Sequence, residues 1–460
     1  MTARRFDAII IGAGQAGPPL AGRLTAAGMT VALVERHLFG GTCVNTGCMP
    51  TKTLVASARA AHVARHGADW GISIPGGFTV DMTRVKARAD TVIHNARSGI
   101  ERWLGGMEKC TVLHGHARFE SPDTVRVGDD LLASERIFIN VGGRAVVPDM
   151  PGVHDVPTLT NTGMLALDEL PKHLVVIGGS YIGLEFAQMY RRFGAEVTVV
   201  EKGPRLIARE DEEVSDAIRA ILEREGIAFR LDAECIRFAR HGGGIAVGVD
   251  CTQGPPEIVG SHVLLAVGRV PNTGDLGLDT AGVEMDARGY IKVDDHLRTT
   301  APGIWALGDC NGRGAFTHTS YNDFEIVAAN LLDGEDRKLS DRLPAYALYI
   351  DPPLGRCGKS EAEAKAAGHT ILVGRRPMSR VGRATEMGET QGFMKIVVDA
   401  DSRQILGGTI FGVSGDEAIH TILDLMYAKA PVSTLTHAVH IHPTVAELIP
   451  TIAGELKPVA

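Results

Sequence analysis

The sequence predicts an α/β fold: two parallel-sheet domains of one plan, then a third, α+β domain. Three observations carry this. Residues 5–35, "RFDAIIIGAGQAGPPLAGRLTAAGMTVALVE", and 171–201, "PKHLVVIGGSYIGLEFAQMYRRFGAEVTVVE", share one pattern. Each is an apolar β-branched run, a glycine turn, an amphipathic helix, a second apolar strand and a terminal Glu. Two later phrases, "RIFINVGGRAVVP" and "HVLLAVGRVPN", are apolar strands broken by glycine, as though each domain closed the same way. After about residue 344 the composition changes to strands such as "FMKIVVDA" and "ILGGTIFG", followed by helices, with no nucleotide signature.

Length and composition set the outer bounds. A chain of 460 residues predicts two to four domains. Its 44 % hydrophobic content supplies a core that needs no staples. A net charge of -8 argues against nucleic acid, because phosphate binding wants clustered Lys and Arg. The 55 glycines predict many tight turns and close approaches of backbone to ligand. The start, "MTARRFDAIIIGAG", does not read as a signal peptide, since "AIII" is too short. No apolar run approaches a membrane span. A cytoplasmic location is expected, where thiols are normally kept reduced.

In the first unit Gly12, Gly14 and Gly17 form G-x-G-x-x-G. The glycines permit a tight turn, close approach of a pyrophosphate and tight helix packing, with the helix N-terminus facing the phosphates. Glu35 ends the second strand, where an acid can bind a ribose hydroxyl. In the second unit the three positions are Gly178, Ser180 and Gly183, and Glu201 mirrors Glu35. Ser180 in place of the middle glycine costs some clearance. Both units are therefore Rossmann-like, and two dinucleotides imply electron transfer between them. Further along, residues 81–108 predict a long helix and 111–141 short strands. "TTAPGIWALGDC" predicts a strand ending at Gly308 and Asp309.

The chemistry gathers at "GGTCVNTGCMPTK", residues 40–52. A disulfide needs Cα atoms closer than about 7 Å, whereas five residues of regular helix rise about 7.5 Å. Cys43 and Cys48 can bridge only across a distorted turn, which Gly47 makes accessible. A helix follows, with Pro50 near its first turn, and a cysteine at a helix N-terminus favours the thiolate. Cys110, Cys235, Cys251, Cys310 and Cys357 are scattered singly and read as small, mostly buried residues. That scatter weakens a four-ligand metal site, so a redox dithiol is favoured over a metal clip or a structural staple. Near the C-terminus, "HAVHIHPTVAELIP" places His437, His440 and His442 close to Glu447. An acid that fixes one imidazole nitrogen makes the other a better base.

Taken together, "GGTCVNTGCMPTK" and "HPTVAE" resemble the pyridine nucleotide-disulfide oxidoreductases, the class that includes dihydrolipoamide dehydrogenase, glutathione reductase and mercuric reductase. The resemblance covers essentially the whole chain. It implies a glutathione-reductase-type arrangement: residues 1–148 an FAD-binding domain, 149–272 an inserted NAD(P)-binding domain, 273–343 the rest of the FAD domain, and 344–460 an interface domain. It also implies a homodimer with a shared active site.

By this resemblance Cys48 would lie against the flavin as charge-transfer thiol, and Cys43 would be the interchange thiol. His442 of the other subunit would be the base, oriented by Glu447. Lys52 would pair with Glu185 beside the flavin. Gly12, Gly14, Gly17, Glu35, Gly41, Thr42, Lys52, Gly142, Asp309 and His318 would serve FAD, the last by a helix N-terminus aimed at the flavin pyrimidine. Gly178, Ser180, Tyr181, Gly183, Glu201 and Gly268 would serve NAD, with Tyr181 covering the nicotinamide pocket. Glu201 favours NAD(H) over NADP(H), because an acid binds a free 2′-hydroxyl and repels a 2′-phosphate; Lys202 and Arg205 could soften that preference.

The expected activity is passage of electrons between nicotinamide, FAD, the Cys43–Cys48 pair and a dithiol or disulfide substrate such as dihydrolipoamide or a lipoyl protein. No metal is expected. "YIDPPLGRCGKSEAEA" and "FTHTSYNDFEIVAANLL" look closer to the mercuric-reductase-like branch and to the reactive-chlorine-resistance flavoproteins. The chain lacks the terminal vicinal cysteines of mercuric reductase: it ends "GELKPVA". A metal-ion or oxidant-defence reductase is therefore the alternative, and a flavin-based redox sensor a third.

Overall fold

The computed structural model describes residues 3–250 and 254–459; Cys251 lies outside them. The first unit forms a five-stranded parallel sheet in the order 304–306, 137–139, 8–11, 31–35, 110–114. The second repeats that layout with 158–159, 262–265, 173–177, 196–200, 228–230. In both, the strand that closes the domain lies directly beside the first strand. Residues 8–11 and 31–35 are buried throughout, as fully covered parallel strands must be.

Six helices position the chemistry: α1 (Gly17–Ala26), α2 (Gly41–Asn45), α3 (Cys48–Arg65), α4 (Met82–Gly105), α5 (Tyr181–Phe193) and α6 (Thr317–Ala328). The long helix expected over 81–108 is α4, with the Asp81 carboxylate capping it by accepting from Arg84 N–H at 3.1 Å. Of the short strands expected over 111–141, the first (110–114) joins the main parallel sheet. So does the last, 137–139, while 117–121, 124–127 and 130–133 form a four-stranded sheet with residues 4–5.

The segments just past the two closing strands, 143–145 and 269–271, pair antiparallel with each other. This ribbon joins the two nucleotide units. The C-terminal part is a six-stranded antiparallel sheet, ordered 345–348, 354–358, 405–411, 393–399, 371–377, 457–458.

Buried ion pairs fasten this third part to the second unit. Lys395, 1 % exposed, donates to Asp211, Glu213 and Glu361 at 2.6, 2.6 and 3.0 Å. Among the described residues those three acids are the group close enough to share an ion, and the lysine ammonium already fills that role. No described helix is long and apolar enough to cross a membrane.

Candidate active site

The redox segment is built on a broken helix. Cys43 lies inside the five-residue α2 and Cys48 is the first residue of α3. Pro50 lies in the first turn of this helix, as expected, and of the two cysteines only Cys48 stands at its N-terminus. The break falls at Thr46–Gly47. A Cβ on Gly47 would sit 2.8 Å from the Thr42 carbonyl oxygen, so the close turn that brings the thiols together requires glycine. Buried Asn161 holds the break from outside, its Nδ2 donating to Thr46 O at 2.6 Å.

The two thiols act as a coupled pair. The hydrogen bond from Cys43 pulls the Cys48 thiol down to about 6, helped by Thr317 and Lys52 against the opposing effect of burial. The same bond, with burial, pushes Cys43 up. The two opposite shifts favour Cys48 as the thiol of the pair that gives up its proton first. Thr317 Oγ1 lies 3.2 Å from Cys48 Sγ, so its hydroxyl donates to the thiolate. Two helix N-termini, of α3 and α6, thus meet at one sulfur.

Lys52, one turn along α3, donates to Glu185 Oε2 of α5 at 2.7 Å. The backbone N–H of Tyr349 donates to the other oxygen at 3.0 Å. The Lys52 ammonium also sits 4.6 Å above the Tyr349 ring. Seven residues further on both helices, Arg59 and Arg192 meet at Asp351, at 2.6 and 2.5 Å. Seven residues is about two turns, so α3 and α5 are clamped at two levels. Burial works against the Asp351 charge, but Arg192 and Arg59 together hold its carboxyl below the usual range.

The dinucleotide cradles fit their expected ligands. Gly12 has φ +107°, and a Cβ there would lie 2.2 Å from Asn140 O; one on Gly17 would lie 2.2 Å from Gly12 O. Gly41 packs against Gly14, its added Cβ only 3.0 Å from Gly14 Cα, and Thr42 Oγ1 donates to Gly143 O at 3.4 Å. Close backbone packing free of side chains beside the N-terminus of α1 is what a bound pyrophosphate requires. Glu35 accepts from the N–H groups of Ala13 and His37, both at 2.8 Å.

The second cradle repeats the first. Gly178 has φ +113°, and a Cβ on Gly183 would lie 2.0 Å from Gly178 O. Glu201 accepts from Gly179 N–H at 2.6 Å and Gly203 N–H at 2.8 Å. Ser180 adopts φ −109° and ψ −171°, ordinary extended backbone, so the missing glycine carries no conformational cost.

The remaining predicted residues divide: Asp309, Gly142, Gly268 and His318 belong to the elements around the thiols and the joining ribbon, whereas His442 and Glu447 make no described contact with Cys43 or Cys48 of their own chain. Asp309 is largely enclosed, and burial raises its carboxyl pKa against the pull of Arg269, 3.5 Å away. Gly142 (φ +62°) and Gly268 (φ +131°) flank the ribbon that joins the units. His318 is the second residue of α6; its ring stacks on Phe316 and its Nε2 lies 2.8 Å from Ala345 O. His442 Nδ1 lies 2.9 Å from Glu447 Oε2, and the dyad faces outward, with the imidazole 77 % exposed. His440 is engaged elsewhere, at Ala446 O. Of the scattered cysteines, Cys310 and Cys357 are buried, Cys110 is half-buried and Cys235 is exposed, so the last departs from the expectation.

Sequence reasoning missed Thr317, Arg269, Tyr349 and Asp351. Arg269 follows Gly268 directly and Thr317 precedes His318, so proximity to a flagged residue was the available signal. Nothing local marks Tyr349 or Asp351, because their roles arise from packing of the third domain against α3 and α5.

This geometry defines a class: two dinucleotide cradles flanking a cysteine pair. The pyridine nucleotide-disulphide oxidoreductase family matches residues 6–323, and its dimerisation domain matches residues 344–453. The chain belongs to that family and is an FAD-dependent pyridine nucleotide-disulfide oxidoreductase. It is 36 % identical to the probable pyridine nucleotide-disulfide oxidoreductase RclA of Escherichia coli, over 98 % of this chain and 100 % of that protein. It is 34 % identical to dihydrolipoyl dehydrogenase of Thermus scotoductus, over 96 % of each. The solved Cu(II) complex of the HOCl-induced flavoprotein disulfide reductase RclA from E. coli superposes with a TM-score of 0.90 at 34 % identity, over 99 % of this chain and 100 % of that one.

Proposed function

We propose that the chain reduces or oxidises a thiol/disulfide substrate through Cys43, with Cys48 as the flavin-side thiolate, and prefers NADH. The carrying observation is the place of Cys48: first residue of α3, with Thr317 Oγ1 3.2 Å from its sulfur and the Lys52–Glu185 ion pair one turn along. The cradle at Gly12, Gly14, Gly17, Glu35, Gly41, Thr42 and Asp309 would hold FAD, which when bound supplies two-electron transfer between nicotinamide and the thiol pair.

The residues of the chain do the rest. Lys52 and Glu185 place a charge-balanced pair on α3 and α5. Thr317 and the α3 N-terminus hold Cys48 deprotonated. Cys43 keeps its proton until a base takes it, and that base is His442 of a second copy, oriented by Glu447. The outward dyad, flanked by exposed Val439 and Ile441, supports this: an apolar rim around a catalytic pair suits a surface that another subunit covers. The division at 1–148, 149–272, 273–343 and 344–460 is proposed with it. Glu201 keeps acceptor capacity beyond its two backbone donors for a ribose 2′-hydroxyl. NADPH outperforming NADH in kcat/KM would overturn the cofactor preference.

A second reading rests on the full-length match to RclA, an HOCl-induced flavoprotein disulfide reductase solved as a Cu(II) complex. In it the same thiol pair serves oxidant defence or reduces a soft metal ion. An anaerobic acceptor panel with NADH separates the two. Turnover with lipoamide or other disulfides supports the first reading; turnover with Cu(II) or Hg(II) and with no disulfide supports the second. Full disulfide reductase activity in Cys43→Ser would defeat the mechanism.

A further inference from the structure

One loop ties the second cradle to the C-terminal sheet. Residues 202–211 run from Glu201, the acid that ends the cradle, to the helix Glu212–Arg224. Ile207, in the middle of this loop, is buried and has φ +44°. A β-branched residue there is a true outlier, because its Cβ crowds the following carbonyl oxygen. Such a conformation persists only where contacts on both sides over-determine it.

Both sets of contacts are present. On the cradle side, Ile207 N–H donates to Gly179 O at 3.1 Å. Leu206 covers Gly179 so closely that an added Cβ would lie 2.7 Å from Leu206 Cδ2. Gly203 N–H, also in the loop, supplies one of the two backbone bonds that orient Glu201. On the far side, the C-terminal part grips the end of the loop. Arg356 pairs with Glu210 at 3.4 Å, and Tyr346 donates to the same carboxylate. Asp211 accepts from Glu361 N–H at 3.2 Å and from Lys395 at 2.6 Å. Glu213, in the first turn of the helix that follows, meets Lys395 at 2.6 Å and Arg375 at 2.8 Å. Lys395 therefore holds two acids of the second unit and one, Glu361, of its own part of the chain.

We propose that Lys395 is a positioning residue for the pyridine nucleotide: by anchoring Asp211 and Glu213 it holds loop 202–211 in its strained form against the cradle, and so keeps Glu201 oriented for the ribose. This rests on the reading that the second cradle takes NAD(H). With the anchor cut, Ile207 relaxes to the negative φ it prefers. Its N–H then leaves Gly179, and the segment bearing Gly203 loosens its hold on Glu201. The competent loop becomes a fraction of the population, and the apparent Kd rises as that fraction falls.

The test is the pair Asp211→Ala and Glu213→Ala in one FAD-loaded variant, titrated with a non-reducing tetrahydro analogue of NADH. This cuts the link between the two parts and leaves Lys395 paired with Glu361. The Kd should rise about tenfold, the scale of one hydrogen bond to a charged group, while flavin reduction at saturating NADH changes little. Lys395→Met should do the same. Glu361→Ala is the control: it removes a partner of the same ammonium but leaves the link in place, and its Kd should stay within about twofold of the starting value. A role in stability alone would lower Tm in these variants and move Kd in none. A Kd unmoved by the alanine pair, or moved equally by Glu361→Ala, overturns the proposal. Gly183→Ala separates the premise. If it weakens analogue binding while the alanine pair does not, the proposal fails and the second cradle keeps its nucleotide. If it leaves analogue binding unchanged, the reading of the cradle is wrong and the proposal falls with it.

Discussion

The two nucleotide units are copies in backbone and opposites in cargo. The same interval separates Gly12 from Gly178, Gly17 from Gly183 and Glu35 from Glu201. Both sheets order their strands alike. At the position of Tyr181 the first unit has Gln15, which donates to Gly40 O at 3.0 Å and so supports the loop leading into α2. At the position of Glu185 it has Pro19. The first helix therefore serves the cradle and its loop alone, and its unit carries chemistry later, on α2 and α3. The second helix carries the aromatic Tyr181 and the ion-pair partner Glu185 within its own first turns. The lesson is that a shared cradle constrains the glycines and the acid, while the positions between them are free to take a task.

The sharpest way to break the symmetry is to close one cradle at a time. Gly17→Ala places a Cβ 2.2 Å from backbone, which nothing flexible can relieve. We expect the purified protein to lose bound flavin, read as absorbance at 450 nm per chain, roughly a tenfold loss or more. Gly183→Ala makes the matching clash at 2.0 Å. It should keep its flavin and lose pyridine nucleotide, with KM for NADH raised at least about tenfold. Equal loss of flavin in both variants would mean that the two cradles are not separable.

The cargo of the first unit is tested next. His442→Ala should lower dithiol turnover by about a hundredfold, the low end of a general-base effect, while stopped-flow flavin reduction by NADH stays near normal. A parallel drop in flavin reduction would place His442 elsewhere. For pH, the sign follows from an acid whose pKa is lowered. The Cys48 thiolate persists above about 6 and is lost as pH falls through that value. The long-wavelength thiolate–flavin absorbance of the two-electron-reduced enzyme should therefore grow as pH rises through about 6. Thr317→Val removes one donor to the thiolate and should move that midpoint upward; an unmoved midpoint would strip Thr317 of its role. The smallest effect belongs to Ser180→Gly. Because Ser180 already holds extended backbone, restoring the glycine should change KM for NADH by less than about twofold.

The legible part of the molecule is the part with local rules. A glycine is forced wherever a Cβ would strike backbone, so Gly12, Gly17, Gly178 and Gly183 announce themselves. The two Glu residues end strands at the spacing a ribose demands. Cys43, Cys48, His442 and Glu447 each lie within a few residues of their partners. These settle the fold class, the two cofactor types and the thiol pair from sequence alone. What folding alone decides is which distant groups meet. Lys52 reaches Glu185 from 133 positions away, Thr317 arrives at Cys48 from 269 positions away, and Tyr346 reaches Glu210 across 136. The physical reason is that side-chain hydrogen bonds and ion pairs act over about 3 Å. A contact made by residues more than a hundred positions apart leaves no periodicity in either segment, so it becomes visible only when the domains pack.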